Sequence, residues 1–301
     1  MFEFAGCLHL AQGYETVDEV RTTKSVTFTN SGPKIHDKER KWAQEMADLV
    51  GSRAGKRNAT LEIARTIKSP DVVKCIVPSL GATEVAVGKL RDAVSPGLTE
   101  NQLWSVMHKS VIEQNGEHIE ARLLGVGPRT NPWFQGSAGY VIQKNDLAVL
   151  DTDVVGCHGY YSDFSRTFHA GPDPPTDEQK GLYRIALAQF NHNMSILRPG
   201  LTFREYADPA WDIPVQYWAN RYFVSAHGRG LTGEYLYLYD RGDFSDAGYD
   251  GVIDPGVVLC VESYIGEEGG TLGFKLEQQV LITETGIHIL AKFLFEEPML
   301  Q

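Results

Sequence analysis

The segment DTDVVGCHGYYSDFSRTF, residues 151–168, decides how this chain folds. Residues 147–153, LAVLDTD, alternate in the manner of a strand, and Gly156 and Gly159 are placed to turn the chain. The returning residues YSDFSRTF indicate a second strand. We therefore predict a β-hairpin with one strand over 147–153 and the other over 161–168.

Three aspartates lie on this predicted hairpin. Asp151 and Asp153 are two residues apart, so we expect them on one face of the sheet, with Asp163 meeting them across the ladder. An isolated aspartate in a hairpin usually serves the turn. Three aspartates that converge among apolar strand residues would be costly to bury without cations, which favours a metal site. Arg166 is predicted to buttress this hairpin.

Three later segments add further metal-ligand types. His227 lies in AHGRG, Glu262 follows the apolar run of DPGVVLCVES, and Glu277 lies in the alternating segment GFKLEQQVLI. Oxygen and nitrogen ligands in this mixture suit two divalent ions that activate water or substrate. The predicted ligands are Asp151, Asp153, Asp163, His227, Glu262 and Glu277. Iron, manganese, cobalt and zinc are all chemically reasonable occupants.

The order of these ligands, with the motifs SDFSRTF, AHGRG and LEQQVLITETG, resembles the pita-bread metalloenzymes. That superfamily includes methionine aminopeptidase, prolidase and creatinase, and the resemblance extends from about Ile67 to the last residue. It implies an α+β fold in which two related helix-helix-sheet halves enclose a two-metal site. It also implies a homodimer.

Within this superfamily, three features are most similar to the dimethylsulfoniopropionate lyases of the DddP type. They are the paired aspartates of DTD, the segment GPRTNPWFQ at 127–135, and the dipeptide RY shortly before AHG. The resemblance implies a metal-dependent lyase with a small zwitterionic or carboxylate substrate, cleaved to dimethyl sulfide and acrylate.

The chain departs from both groups of relatives at positions that matter for chemistry. Peptidase members have a histidine seven residues after the metal histidine, and this chain has Glu234 there. They have another histidine before the first metal aspartate, where this chain has the segment WFQ at 133–135. The lyases have, six residues after the metal histidine, an aspartate that acts as the base and removes a proton from the substrate. This chain has Gly233 at that position. Glycine cannot accept a proton, so we predict either that Glu234 substitutes as the base or that the reaction differs. A metallohydrolase, in which Glu262 relays a proton, and a metal-binding pseudoenzyme remain alternatives.

Aromatic residues crowd the segments before the predicted ligands. Faces of such rings attract a sulfonium or ammonium group by about 0.5–2 kcal/mol each. Trp133 and Tyr222 are predicted to bind substrate, and the resemblance to the lyases includes Tyr222. The predicted catalytic residues are thus Glu234, Tyr222 and Glu262.

A duplication is visible in the sequence itself. SPGLTENQ at 95–102 recurs as RPGLTFRE at 198–205, and each copy contains a capping box that opens a helix. Helices are predicted before the copies, over 71–94 and 177–197. Pro78 is expected to kink or shorten the first of them.

The first 66 residues fit the superfamily less well. We expect residues 1–66 to be a shortened remnant of a creatinase-like α/β domain, with a strand at 25–29 and a helix at 38–50. Residues 67–301 are predicted to form the catalytic domain.

Composition limits the possible partners and compartments. The chain has 301 residues, of which 42% are hydrophobic, and its net charge of −11 without a basic stripe disfavours a nucleic-acid role. Four cysteines form no C-x-x-C pair, and the N terminus lacks the basic start of a signal peptide. No apolar run reaches the length of a membrane span. We therefore expect a cytoplasmic protein with reduced thiols.

Overall fold

The computed structural model describes residues 2–4, 21–23 and 60–301. The strand predicted at 25–29 and the helix predicted at 38–50 lie outside the described residues. Strands β1 (Phe2–Phe4) and β2 (Arg21–Thr23) pair in parallel. The proposed domain boundary at residue 66 stays a prediction.

Helices precede strands twice along the chain. The helices of the first half are α1 (Thr60–Thr66), α2 (Pro70–Ala93) and α3 (Glu100–Glu113), and those of the second half are α4 (Asp177–Ile196), α5 (Phe203–Ala207), α6 (Val215–Trp218) and α7 (Arg241–Ala247). The long helices α2 and α4 confirm the two predicted helical stretches. Both predicted capping boxes are present, at Thr99 before α3 and at Thr202 before α5. The duplicated motifs thus begin helices, as predicted, although α5 has only five residues.

Helix α2 is not shortened at Pro78, contrary to one of the predicted alternatives. It continues without interruption to Ala93. Proline removes one N–H donor, but the helix buries an apolar face that includes Ile76, Leu80 and Val87. This tertiary packing outweighs the local cost of proline.

The strands form one large sheet and several small ones. The first half contributes β3 (His118–Ile119), β4 (Leu124–Val126), β5 (Leu147–Leu150), β6 (Val154–Val155), β7 (Tyr161–Ser162) and β8 (Arg166–His169), in sheets of order β3-β6-β7 and β4-β5-β8. The second half contributes β9 (Leu201–Thr202), β10 (Val224–Arg229), β11 (Gly233–Tyr239), β12 (Val252–Ile253), β13 (Val258–Gly266), β14 (Gly273–Thr283) and β15 (Gly286–Ile289). Five of these form an antiparallel sheet of order β11-β10-β13-β14-β15.

The predicted hairpin forms, but both of its strands are interrupted. Strand β5 ends at Leu150, so the predicted continuous strand over 147–153 is wrong. Asp153 adopts a left-handed φ of 40°, which is incompatible with an extended strand. On the returning side, residues 163–165 separate β7 from β8. The hairpin therefore has two paired ends and an irregular middle.

Apolar side chains are buried on the helix-facing sides of these sheets. Helix α4 packs on β13 and β14, whereas α2 packs on the hairpin strand β7 and on the turn Cys157–Gly159 that joins β6 to β7. We call this turn the tip turn. Among the described helices, none is both long enough and apolar enough to cross a membrane.

Candidate metal centre

The large sheet presents three predicted ligands on one face. Glu262 in β13 lies directly opposite Glu277 in β14. His227 in β10 lies opposite Cys260, which is two residues before Glu262 and so shares its face. All three ligand side chains are buried, with residue exposures of 1–8%. The strand register alone therefore brings these ligands together.

The hairpin presents its aspartates from the irregular middle. Asp151 follows β5, Asp153 precedes β6, and Asp163 follows β7. Ser165 Oγ lies 2.8 Å from Asp151 Oδ1 and 2.7 Å from Glu277 Oε2, which links the hairpin to the large sheet. The side-chain carbonyl of Gln279 accepts a 3.0 Å hydrogen bond from the backbone N–H of Asp163.

Arg166 joins this hairpin to strand β14 through hydrogen bonds, in agreement with its predicted buttressing role. Its guanidinium is 1% exposed and donates to the carbonyl oxygens of Glu277 and Ser165, at 2.6 and 2.9 Å. It also donates to the side chain of Gln278, at 2.7 Å. Burial lowers the pKa of Arg166 to about 10.

The ligand atoms converge where a cation fits. One side-chain atom each of Asp163, His227, Cys260 and Glu277 lies within 4.8 Å of the others. Asp163 Oδ1 and Glu277 Oε1 are buried and have no hydrogen-bond partner. His227 Nδ1 lies 3.1 Å from the carbonyl oxygen of Gly228, and Nε2 faces the carboxylates, 3.1 Å from Glu262 Oε1, where a metal ion would take the place of its proton. These unpartnered acceptors and the donor set fit divalent ions.

Two buried cations at the centre were not predicted from the sequence. Lys275 Nζ lies 2.6 Å from Glu262 Oε2, 3.0 Å from Glu277 Oε2 and 3.2 Å from Asp151 Oδ2. Arg229 forms ion pairs with Asp153 and, at 2.6 Å, with Asp163. Each cation is two residues from a predicted ligand in the same strand, so strand alternation could have identified both. Cys260, predicted from the sequence only as a reduced thiol, also lies at the centre.

The pKa shifts show an excess of negative charge at the centre. Burial raises the pKa of Asp163 well above its usual value, and the charges of Glu277 and Asp151 raise it further. Burial opposes ionisation of Asp151 too, but Lys275 and Ser165 lower its pKa to about 2. Burial alone would lower the pKa of His227, yet its hydrogen bond to Glu262 and the charge of Glu262 raise it to about 9. Protons thus relieve a charge that divalent ions would neutralise.

The two predicted substrate-binding residues lie beside this centre. Lys275 Nζ is 5.3 Å from the ring centre of Trp133 and 5.5 Å from that of Tyr222. Phe134 packs on Tyr222, with 5.7 Å between ring centres. Burial, with the charge of Glu262, raises the pKa of Tyr222 well above its usual value. The Tyr222 hydroxyl therefore keeps its proton at neutral pH.

Glu234 has partners away from the carboxylate cluster. Its buried carboxylate accepts hydrogen bonds from Lys68 Nζ at 2.6 Å and from the backbone N–H of Leu231 at 2.9 Å. Arg65 in α1 lies 3.4 Å from it. Neighbouring Gly233 lies opposite Arg229 in the register of β10 and β11. The structure therefore gives Glu234 an ion pair with the segment around α1, and its role as a base stays a prediction.

Comparisons with known proteins agree with this architecture. The profile of Metallopeptidase family M24 matches residues 75–284. The crystal structure of dipeptidase PepE from Mycobacterium ulcerans is similar, with a TM-score of 0.71, 22% identity, and coverage of 91% of this chain and 69% of that one. The prolidase from Pyrococcus horikoshii gives a TM-score of 0.70 at 21% identity, covering 96% and 78%. The predicted pita-bread fold is thereby confirmed.

Sequence similarity is higher to a lyase. Dimethylsulfoniopropionate lyase DddP from Roseobacter denitrificans is 37% identical over 245 residues, or 79% of this chain. The chain spans 55% of the length of that lyase. Since the M24 profile covers more than half of the chain and the fold agrees, this protein belongs to Metallopeptidase family M24.

Proposed function

We propose that this protein is a metal-dependent lyase that cleaves dimethylsulfoniopropionate to dimethyl sulfide and acrylate. The observation that carries the proposal is the pairing of a carboxylate-rich metal centre with the rings of Trp133 and Tyr222 around a buried ammonium group. The similarity to lyase DddP, at 37% identity, supports the same conclusion.

The substrate carries both groups that this site suits. Its sulfonium head is a cation without N–H donors, so aromatic faces are its natural partners. The position of Lys275 Nζ near both rings indicates that the pair accepts a positive charge. Its carboxylate is suited to divalent ions. When bound by Asp151, Asp153, Asp163, His227, Glu262 and Glu277, two such ions would supply Lewis-acid stabilisation of that carboxylate and of the charge formed next to it.

The reaction is a β-elimination. A base removes a proton from the carbon next to the carboxylate, a carbon–carbon double bond forms, and the carbon–sulfur bond breaks with its electron pair on sulfur. Tyr222, protonated at neutral pH, holds and orients the substrate. Glu262 Oε2 lies 2.6 Å from Lys275 Nζ, the group near both rings, and Glu262 is a candidate for proton transfer within the centre. Glu234 is the candidate predicted from the sequence.

The test combines two assays on one sample. Purified protein, with its metal content measured, is incubated with dimethylsulfoniopropionate and the headspace is analysed for dimethyl sulfide. The same sample is incubated with Xaa-Pro dipeptides. Release of dimethyl sulfide that is lost on chelation supports the proposal. Absence of release from folded, metal-loaded protein, both wild type and Gly233→Asp, would refute it.

A second candidate is hydrolysis of a dipeptide or another small amide. The fold similarity to a dipeptidase and a prolidase favours it, as does the set of ligands. Against it, the two histidines of the peptidases are replaced by Glu234 and the segment at 133–135. Loss of one transition-state donor costs about 10²- to 10³-fold in rate, so we expect very weak dipeptidase activity. Turnover near the enzyme median of about 10 s⁻¹ would promote this candidate.

We also propose that the protein is a cytoplasmic homodimer that binds two divalent ions per chain. The resemblance to dimeric relatives and the sequence composition support this. Light scattering coupled to size-exclusion chromatography measures the mass in solution, and elemental analysis measures the number of ions.

A further inference from the structure

A second group of potential metal ligands lies outside the metal centre, at the tip turn of the hairpin. The sulfur atoms of Cys75 and Cys157 and an imidazole nitrogen of His158 all lie within 4.8 Å of one another. Both cysteines are free thiols and are half-buried, and His158 is exposed. The group is therefore reachable from solvent through its histidine.

A close backbone contact brings these residues together. Cys75 belongs to α2, while Cys157 and His158 belong to the tip turn that packs on α2. Gly156, just before the turn, lies so near α2 that a Cβ there would be 2.5 Å from the Cβ of Ser79. Only glycine permits this approach. The glycine contact thus holds the two turn residues beside Cys75.

The side chains have the chemistry of a site for a thiophilic ion. Thiolates and imidazole are the usual ligands of structural and catalytic zinc. Two ligands of one zinc ion lie at most about 4.6 Å apart, because Zn–S bonds are about 2.3 Å long. The upper limit of 4.8 Å on the observed separations is close to this value. The metal centre differs, since its ligands are mainly carboxylates.

A redox switch is the other chemistry that two neighbouring thiols suggest. Burial raises the pKa of Cys157, and the neighbouring Cys75 thiol raises it further. The thiolate is both the oxidant-sensitive form and the metal-binding form, so this shift does not separate the two roles. A disulfide would leave His158 without a role. The convergence of His158 on the two sulfur atoms therefore favours a metal ion over a disulfide.

We propose that Cys75, Cys157 and His158 form a peripheral site for one thiophilic d¹⁰ cation, with zinc as the principal candidate and water in the fourth position. The site joins α2 to the tip turn. On either side of that turn, the hairpin leads to Asp153 and Asp163. Occupancy therefore fixes the hairpin relative to α2, whichever reaction the metal centre performs.

Cadmium is a suitable probe because its charge-transfer absorption reports bonds to thiolate. Reduced protein that carries its own metals is titrated with Cd²⁺. We expect one equivalent per chain to bind with thiolate absorption, and Cys75→Ser and Cys157→Ser to lose it. His158→Ala should bind at least about tenfold more weakly, since even an outer-shell change costs about 10- to 100-fold in affinity.

Matched controls identify the thiols involved. Cys260→Ser removes the thiol at the metal centre, and Cys7→Ser removes the remaining cysteine of the chain. Both variants should keep the signal, and circular dichroism should show that all variants are folded. The proposal is overturned if Cys260→Ser loses the signal, if Cys75→Ser and Cys157→Ser keep it, or if reduced wild-type protein binds no cadmium with thiolate absorption. If the protein before reduction holds a Cys75–Cys157 disulfide and the reduced protein binds no cadmium, the redox role replaces the metal site.

Discussion

The two halves of the metal centre present their ligands in different ways. In the large sheet, His227, Glu262 and Glu277 lie within continuous strands, and the register determines their spacing. In the hairpin, the aspartates lie where strands stop, and side chains from elsewhere hold them. Ligands borne by strands thus follow from local alternation, whereas ligands borne by turns depend on tertiary contacts.

The same comparison applies to charge. The two cations that contact aspartates of the hairpin, Arg229 and Lys275, both belong to the large sheet. The large sheet therefore positions the hairpin ligands electrostatically as well as sterically. Experiments that remove one ligand, one cation or one proton at a time can separate these contributions.

Removing one ligand from each half should have the largest effect. We expect Asp163→Ala in the hairpin and Glu277→Ala in the sheet each to lose at least one divalent ion per chain. Dimethyl sulfide release should fall by about 10³-fold or more, because metal ions supply several kcal/mol of transition-state stabilisation. Elemental analysis and the headspace assay measure both outcomes. Unchanged metal content in both variants would show that the ligand assignment is wrong.

Gly233→Asp tests whether a catalytic base is the only group that the large sheet lacks for the lyase reaction. We expect lyase activity to rise, since a positioned base contributes about 10²- to 10⁴-fold. Arg229 lies opposite position 233 in the register of β10 and β11, and its positive charge would keep the new carboxylate ionised. A carboxylate must be ionised to act as a base. Glu234→Gln is the companion variant. If Glu234 is already the base, that variant abolishes native activity and Gly233→Asp adds little.

Lys275→Met tests the electrostatic link between the halves. The change leaves Asp151, Glu262 and Glu277 buried without their shared cation. Breaking a buried ion pair in this way destabilises a protein by about 3–5 kcal/mol, which urea unfolding of metal-free protein would detect. Lys292→Met, at an exposed position, is the matched control and should change stability by less than about 0.5 kcal/mol. Equal stability of the two variants would contradict this role of Lys275.

A change of one pH unit should have the smallest effect, and its sign follows from two raised pKa values. Burial and the charge of Glu262, opposed by Lys275, raise the pKa of Glu277 to about 8, while that of His227 is about 9. Near neutral pH, both groups hold more protons in the folded, metal-free protein than in the unfolded chain. Its free energy of unfolding should therefore fall as the pH rises from about 6.5 to about 9, by up to about 1.4 kcal/mol per pH unit for each extra proton.

Bound metal should reverse this trend, because ions displace the protons and bind more tightly as the pH rises. Denaturant unfolding with and without chelator, between pH 6.5 and 9, measures both slopes. A metal-free protein that becomes more stable over this range would show that the two groups are not protonated as described.

The sequence by itself determined the superfamily, the two long helices, the capping boxes and the six proposed ligands. These features depend on short-range patterns, namely alternation, capping and the spacing of polar residues in apolar strands. Glu277 could be assigned to the face of its strand opposite Leu276 and Gln278, because a strand has a fixed period of two residues.

Only the tertiary structure decided what surrounds those ligands. The break in the hairpin at Asp153, the contacts of Lys275 and Arg229 and the ion pair of Glu234 with Lys68 all join residues far apart in the chain. Sequence patterns describe which face a residue occupies, but not which distant side chain balances its charge. That balance depends on distances across the fold, and these are determined only when the hairpin packs on the large sheet.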